Sequence, residues 1–225
     1  MKLTKNYLTN SDCYKAGKKI TVKGLMIHSI GCPQPKASVI MNNWNKPGAS
    51  ACVHAIIDGN DGTVYQTLPW NHRGWHGGGS SNNTHIGVEM CEPSTIKYTT
   101  GANFTDSNPT KTKEVVDRTY KVAVELFAFL CKEYKLDPLK DIVGHAEGHA
   151  KGIASNHGDP DHLWKKFGYS MSGFRADVKA AMGNSTSTSS KLYRVQIGAF
   201  SKKSNAENCL KKAKAAGFTD AFITN

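Results

Sequence analysis

The spacing of apolar and polar residues along the chain predicts an α/β fold. Residues 20–29 form an apolar, β-branched run, which is typical of a buried strand. Two β-rich runs within residues 52–68 flank Asp-Gly turns and therefore indicate a hairpin. Residues 85–92 and 141–145 predict two further strands. Apolar residues at helical spacing predict helices at 37–45, 113–134 and 172–183. Because strands and helices alternate, we expect a single mixed β-sheet flanked by helices.

A short polar segment divides the chain into two parts. Residues 183–191 read GNSTSTSSK, and this small, polar run without apolar periodicity predicts a flexible linker. The preceding residues, 1–182, are numerous enough for one well-packed domain. The following residues, 192–225, form a short tail.

The tail has the pattern of a small β-α-β unit. Residues 192–200 alternate like a half-buried strand. A helix should follow, because Ser204 and Glu207 have the spacing of a capping box and Gly217 fits a C-terminal cap. Residues 220–225, DAFITN, begin a second predicted strand. A unit of this size has little core of its own.

The net charge of +11 bears on which partners are expected. No block of five basic residues occurs, which argues against a nucleic-acid-binding arm. A diffuse positive field instead suits an anionic polymer. No run of eighteen apolar residues exists, so no membrane span is predicted. The N-terminus, MKLTKNYLTN, has no apolar stretch after its lysines, and we therefore expect no secretory signal.

The six cysteines occur without CxxC spacing. In a chain expected to lack an export signal, most of them are predicted to be free, buried thiols. A structural disulfide is the less favoured interpretation.

Residues 144–164 have the composition of a metal site, with four histidines and two aspartates. His28 and His145 each end a predicted strand, and two such residues beside a His-rich loop favour metal binding. His145 and His149 are four residues apart, but Glu147 lies in the middle of HAEGH rather than next to the first histidine. Three nearby glycines also argue against the helix that would bring both histidines to one face. We therefore expect His149 to lie in a loop or to contact a substrate.

Several motifs occur in an order that resembles a known family. They are GLMIHS, VHAIIDGNDGTVYQTLPW, RGWHGG, HIGVEMCE and VGHAEGHAKGIASNHGDPDHLW. Together they resemble the zinc-dependent N-acetylmuramoyl-L-alanine amidases of type 2, a group that includes phage lysins and peptidoglycan recognition proteins. The resemblance covers roughly residues 20–182.

The resemblance implies a Zn²⁺ site. The family's first two zinc histidines match His28 and His145, and an aspartate before proline matches Asp159. His157 stands where relatives often carry a lysine that supports the developing oxyanion. It is therefore expected to stabilise that oxyanion or, as the less favoured alternative, to replace Asp159 as the third ligand.

The resemblance also implies that Glu89 is the general base. Strand alternation places Glu89 on the face opposite Ile86, Val88 and Met90, so it can point into a cleft while the strand is anchored behind it. Glu92 is the second choice and has the opposite parity.

His54 and His76 match positions near the family's substrate groove. Histidines could contact the substrate, a tryptophan could stack on a sugar face, and the glycines at 77–79 suit a loop that lets substrate approach. The substrate-binding residues expected on this basis are His54, Trp75, His76 and His149.

The implied activity is hydrolysis of the amide bond between N-acetylmuramic acid and L-alanine in bacterial peptidoglycan. A phage or prophage endolysin without an export signal would be made in the cytoplasm and act on the cell wall after release. The alternatives are a non-catalytic peptidoglycan receptor and a zinc peptidase that cuts stem peptides. The tail resembles part of a SPOR repeat, which binds glycan strands, and such a partial repeat could pair with a second copy.

Overall fold

The computed structural model describes residues 1–183, 197–218 and 221–223. The chain groups into two compact units, residues 1–185 and 186–225. Within the described residues, no helix has both the length and the apolar character that a membrane crossing requires.

The first unit contains a six-stranded mixed sheet and a separate two-stranded hairpin. Its strands are β1 (Leu3–Lys5), β2 (Gly24–Ser29), β3 (Ala55–Ile57), β4 (Val64–Gln66), β5 (His85–Met90), β6 (Ile96–Tyr98), β7 (Phe104–Asp106) and β8 (Ile142–Gly144). Its helices are α1 (Asp12–Ala16), α2 (Ala37–Trp44), α3 (Pro109–Tyr134), α4 (Pro138–Asp141), α5 (His145–Ala150), α6 (Asp161–Trp164) and α7 (Met171–Gly183). Short 3₁₀ turns occupy Ser80–Asn83 and Lys165–Phe167.

The sheet has the order β1-β4-β3-β5-β2-β8 and confirms the predicted mixed α/β architecture. β2 lies between β5 and β8 and runs parallel to both, whereas β3 and β4 form the predicted antiparallel hairpin. Parallel strands end at the same edge of a sheet, so residues at the carboxyl ends of β2, β5 and β8 meet there.

Helices cover both faces of the sheet. Leu25 and Ile27 of β2 pack in the main core with residues of α3 and α7, including Phe127 and Phe174. On the other face, Ile56 of β3 packs with residues of α2. Alternation along β2 therefore directs His28 away from the main core, and its side chain nevertheless remains buried.

The prediction that residues 145–149 would not be helical is wrong. α5 begins at His145, and the backbone N–H of Gly144 donates to Oε2 of Glu147. Gly148 does not prevent the helix, because its missing side chain allows close packing on β2: a Cβ there would lie 2.8 Å from Cε of Met26. The helix cost of a glycine, about 1 kcal/mol, is thus set against close packing that a larger residue would disturb.

In the second unit, the predicted helix is present as α8 (Lys203–Ala215). Its N-cap is Lys202 and no side chain caps it, so the predicted capping box of Ser204 and Glu207 is wrong. Gly217 follows the helix with a positive φ of 98°, as predicted for its C-terminal end. The described residues 197–200 and 221–223 are not in strands, and the rest of the two predicted tail strands lies outside the described residues.

Candidate metal centre and catalytic site

Three predicted ligands meet at the carboxyl edge of the sheet. His28 is next to last in β2, and His145 follows β8 directly as the first residue of α5. Asp159 comes from the loop between α5 and α6. Nδ1 of His28 lies 3.0 Å from Nδ1 of His145 and 3.2 Å from Oδ2 of Asp159. Nδ1 of His145 lies 3.5 Å from Oδ1 of Asp159. Ligands at zinc bond lengths around a tetrahedron lie about 3.3 Å apart, so these spacings fit one ion.

The hydrogen bonds of His28 show which of its ring nitrogens is free to bind a metal. Nε2 of His76 lies 3.1 Å from the carbonyl oxygen of His85, so this nitrogen must carry the proton. Burial holds the pKa of His76 well below its usual value, so the ring is neutral and its Nδ1 accepts. Nε2–H of His28 therefore donates to that Nδ1 over 3.0 Å. Burial also lowers the pKa of His28, which leaves its Nδ1 with a bare electron pair.

A similar series of hydrogen bonds orients His145. The hydroxyl of Ser155 donates to the carbonyl oxygen of Gly77, and Nε2 of His145 lies 3.1 Å from that hydroxyl oxygen. In its neutral form, His145 donates from Nε2 and presents an unprotonated Nδ1. Two bare nitrogens and a carboxylate then face one another, and a cation is what stabilises such a set of donors. The residues present fit the zinc ion that the sequence predicts.

The carboxylate of Asp159 has the charge that a ligand needs. Burial alone would raise the pKa of Asp159, but the neighbouring side chains of His145 and His28 outweigh burial and lower that pKa. The side chain is 13% exposed, so the group lies at the opening of the site rather than in the core.

Glu89 lies beside the cluster because it pairs in register with His28 on the neighbouring strand. Burial raises its pKa well above the usual value, and the charges of Asp159 and Glu92 add to the effect. Its Oε2 is buried and has no hydrogen-bond partner in the described part of the protein. A buried carboxylate oxygen without a partner is costly in a structural role, and it is available to a substrate or a water molecule.

Glu92, the second choice for the base, is engaged elsewhere. Its Oε2 accepts a 2.7 Å hydrogen bond from the hydroxyl of Tyr98, and its Oε1 accepts one from the N–H of Gly31. Nε2 of His162 lies 2.6 Å from the same tyrosine oxygen. This network connects β6 to α6, the helix that begins two residues after Asp159.

His157 contacts Nε2 of His145, and not the Nδ1 atom that faces His28 and Asp159. Its Nδ1 lies 3.2 Å from Nε2 of His145 and 3.0 Å from the hydroxyl oxygen of Ser155. The ring is exposed. The proton on Nε2 of His145 therefore faces both Oγ of Ser155 and Nδ1 of His157.

The four predicted substrate-binding residues occupy different environments. His54 is fully buried: its Nδ1 accepts from the N–H of Gly87 and its Nε2 donates to the carbonyl oxygen of His72. His76 is partly buried and supports His28. Trp75 is partly buried against Cys13, Cys52 and Leu68. His149 is exposed on α5. Contact of these four residues with a substrate stays a prediction.

Glycines that the sequence suggested for substrate access are required by packing. A Cβ at Gly78 would lie 2.5 Å from Oγ of Ser155, and one at Gly79 would lie 2.5 Å from the carbonyl oxygen of Ile153. A Cβ at Gly87 would collide with the ring of His76. No sequence pattern marks Gly87 or Ser155, because a small residue that leaves room for a histidine has no pattern of its own.

An ion pair secures the helix that carries His145. Arg175 of α7 donates to both carboxylate oxygens of Glu147 over 2.7 and 2.9 Å, and it also donates to the carbonyl oxygen of Ile142. Burial would raise the pKa of Glu147, but the bonds from Arg175 outweigh it and lower that pKa. Arg175 thus connects α7 to β8 through Ile142 and to α5 through Glu147.

We expect Arg175→Met to lower the free energy of unfolding by about 1–3 kcal/mol, because it leaves a partly buried carboxylate without its partner. Affinity for Zn²⁺ should fall as well, because the first turn of α5 loses its support. Urea unfolding and metal titration measure the two effects. Lys165→Met, which removes an exposed pair with Asp161, is the matched control and should change stability by less than about 0.5 kcal/mol. Equal stability and metal affinity in Arg175→Met and the native chain would contradict this role.

His54 should make the fold sensitive to acid. Burial lowers the pKa of His54 to about 4, below its ordinary value of 6.5. As the pH falls below 6.5, the unfolded chain takes up a proton that the folded protein excludes. Stability from the neutral ring is therefore complete above pH 6.5 and is lost as the pH falls towards 4, with about 2 kcal/mol lost by pH 5.

Urea unfolding at pH 7 and pH 5, with a chelator present, measures this loss. His54→Gln keeps a donor near the carbonyl of His72 but does not titrate. The variant should lose about 2 kcal/mol less than the native chain between the two pH values. The same loss in both proteins would show that another group causes the acid sensitivity.

Comparison with solved structures identifies the fold. The structure of the Staphylococcus aureus hydrolase AmiA in complex with its ligand aligns with 81% of this chain and 83% of that chain, with a TM-score of 0.58 and 19% identity. The catalytic domain of XlyA aligns with 79% of this chain and 99% of its own, with a TM-score of 0.54 and 21% identity. The PlyG catalytic domain gives a TM-score of 0.55, 17% identity and coverage of 83% and 99%. The fold is therefore that of this class of α/β catalytic domains.

Sequence models identify the family. The model described as N-acetylmuramoyl-L-alanine amidase matches residues 18–162, and the chain belongs to this family. The SPOR domain model matches residues 173–225 and thus begins inside α7, before the tail predicted to start at residue 192. N-acetylmuramoyl-L-alanine amidase XlyA of Bacillus subtilis (strain 168) is 43% identical over 49 residues. That alignment covers 20% of this chain and 16% of the relative.

Proposed function

We propose that this protein is a zinc-dependent amidase that cleaves the bond between N-acetylmuramic acid and L-alanine in peptidoglycan, as an endolysin of phage or prophage origin. The observation that carries the proposal is the convergence of His28, His145 and Asp159 with Glu89 in register beside them. Membership of the amidase family and the SPOR match support the bond type and the polymer.

His28, His145 and Asp159 would hold the ion. When bound, zinc supplies Lewis acidity that polarises the amide carbonyl and makes water ionise near neutral pH. The contacts of His76 and Ser155 keep both histidine rings in the tautomers that bind a metal. The sheet thus preorganises the ligands before a substrate arrives.

Glu89 would transfer a proton from the attacking water to the leaving amine. Its raised pKa and its unpaired oxygen suit a group that accepts a proton from the attacking water and then returns it to the leaving amine of L-alanine. His157 would donate a hydrogen bond to the tetrahedral oxyanion, since it lies against His145 at the edge of the site.

Digestion of purified cell wall, with and without a chelator, tests the proposal. Without the chelator, we expect new N-terminal L-alanine and no new reducing sugar ends. With the chelator, turnover should stop, and it should recover when Zn²⁺ is returned. Wall binding without new chain ends would indicate a receptor instead. New amine ends elsewhere in the stem peptide would indicate a peptidase.

A further inference from the structure

Two cysteines that are distant in sequence meet in a small buried cluster outside the candidate site. Cys13 lies in α1, and Cys52 lies shortly before β3. They pack together with Leu68, and Tyr14 and Trp75 cover the cluster. Both residues are almost completely buried, at 3% and 0% exposure. Cys13 precedes the region that matches the amidase family and Cys52 lies within it, but the proposed activity uses neither residue.

Contacts on either side hold both cysteines in this cluster. Cys13, Cys52 and Leu68 are its three buried residues, and each thiol shifts the pKa of the other. Sγ of Cys13 also lies 3.3 Å from the carbonyl oxygen of Arg73. The backbone of Cys52 pairs with that of Trp75 through two hydrogen bonds of 3.1 and 2.8 Å. Both cysteines are therefore held by ordered backbone on each side of the contact.

We propose that Cys13 and Cys52 are an oxidisable dithiol that closes into an intramolecular disulfide when the protein meets a small-molecule disulfide such as oxidised glutathione. One thiolate attacks the external disulfide, which breaks the S–S bond, forms a mixed disulfide and releases one small thiol. The second cysteine then attacks the protein sulfur of the mixed disulfide and releases the other small thiol. The protein loses two electrons and two protons, and the external disulfide becomes two thiols.

The environment indicates which sulfur reacts first. The neighbouring side chain of Cys13 lowers the pKa of Cys52, against the opposing effect of burial. Cys52 is thus the better thiolate and Cys13 the resolving thiol. Because both are buried, the first attack requires local opening of α1, a helix of only five residues.

The disulfide would join α1 to the segment that supports the edge of the candidate site. Cys52 pairs with Trp75, and the next residue is His76, which orients His28. A bond between residues 13 and 52 closes a loop of moderate length and restricts the unfolded chain. We expect the oxidised protein to melt about 5–10 °C higher than the reduced protein.

The test uses the full-length chain in mixtures of oxidised and reduced glutathione. Remaining thiols are alkylated under denaturing conditions, the protein is digested, and disulfide-bonded peptides are identified by mass spectrometry. We expect a Cys13–Cys52 link and the rise in melting temperature in oxidising mixtures, with both reversed by excess reduced glutathione. C13S should lose both effects, and C52S provides a second variant should either one fold poorly. C131S, which changes a buried cysteine of α3, is the matched control and should keep both effects.

Three results would overturn the proposal. The first is complete alkylation of Cys13 and Cys52 in the most oxidising mixture. The second is glutathione bound to either residue without a link between them. The third is a link between Cys32 and Cys91, which also pack in one cluster, in place of the Cys13–Cys52 link.

Discussion

Glu89→Gln is expected to lower the rate of peptidoglycan cleavage by about 10²–10⁴-fold and to leave the metal content unchanged. The amide has nearly the same shape as the carboxylate, so the sheet and the three ligands should keep their positions. It cannot accept the proton of the attacking water. The register of β2 and β5 places this side chain next to His28, and no protein group uses its Oε2 among the described residues. The loss should therefore appear in turnover and not in folding.

Release of N-terminal L-alanine and metal analysis of the same samples measure the two quantities. Glu114→Gln changes an exposed glutamate of α3 and serves as the matched control, with activity equal to that of the native chain. Glu92→Gln should instead lower stability, because Glu92 is buried and accepts from Tyr98 and Gly31. Full activity in Glu89→Gln would remove Glu89 as the base. Loss of turnover in a folded Glu92→Gln, with an active Glu89→Gln, would transfer that role to Glu92.

The second large effect is expected from His145→Ala, which should reduce bound zinc from about one ion per chain to almost none and abolish cleavage. Zinc sites depend on several ligands acting together, and removal of one leaves only His28 and Asp159. The alanine variant also removes the contacts of the imidazole with Ser155 and His157. Asp159→Asn is a milder second variant, since it removes the charge but keeps the shape.

His149→Ala is the matched control for metal binding, because His149 lies four residues later in the same helix and is exposed. It should retain a full complement of zinc. Elemental analysis of the purified proteins, together with circular dichroism to confirm folding, makes the comparison. Zinc retained by a folded His145→Ala, or lost from His149→Ala, would show that the ion binds elsewhere.

The pattern of the sequence was sufficient for five of the six strands of the sheet, all except β1, and for two of the three candidate ligands. Apolar runs with β-branched residues form strands in almost any context where both faces are covered, so β2, β5 and β8 could be located. His28 and His145 then lay at strand ends that parallel pairing brings together. Asp159 and Glu89 needed the resemblance to a family as well, because an aspartate in a loop and a glutamate in a strand have no spacing that marks them as ligand or base.

Sequence reasoning was wrong at α5 because helix propensity is a local quantity. The glycines around His145 predicted a loop, whereas the capping bond of Glu147 and the close contact of Gly148 with Met26 favour a helix. The helix does not create a second ligand, since His149 is exposed. The capping box in the tail failed for a related reason: the helix begins one residue before Ser204, so that side chain is inside the helix and does not cap it.

By itself, the sequence determined which residue types could do the chemistry and which elements would carry them. Apolar periodicity and strand ends depend only on the local order of residues. Only the tertiary structure decided the partners of each polar group. It set the tautomers of His28 and His76, the pairing of Arg175 with Glu147, and the meeting of Cys13 with Cys52. These contacts join residues that are far apart in the chain, and their energies depend on distance and burial, which no local pattern records.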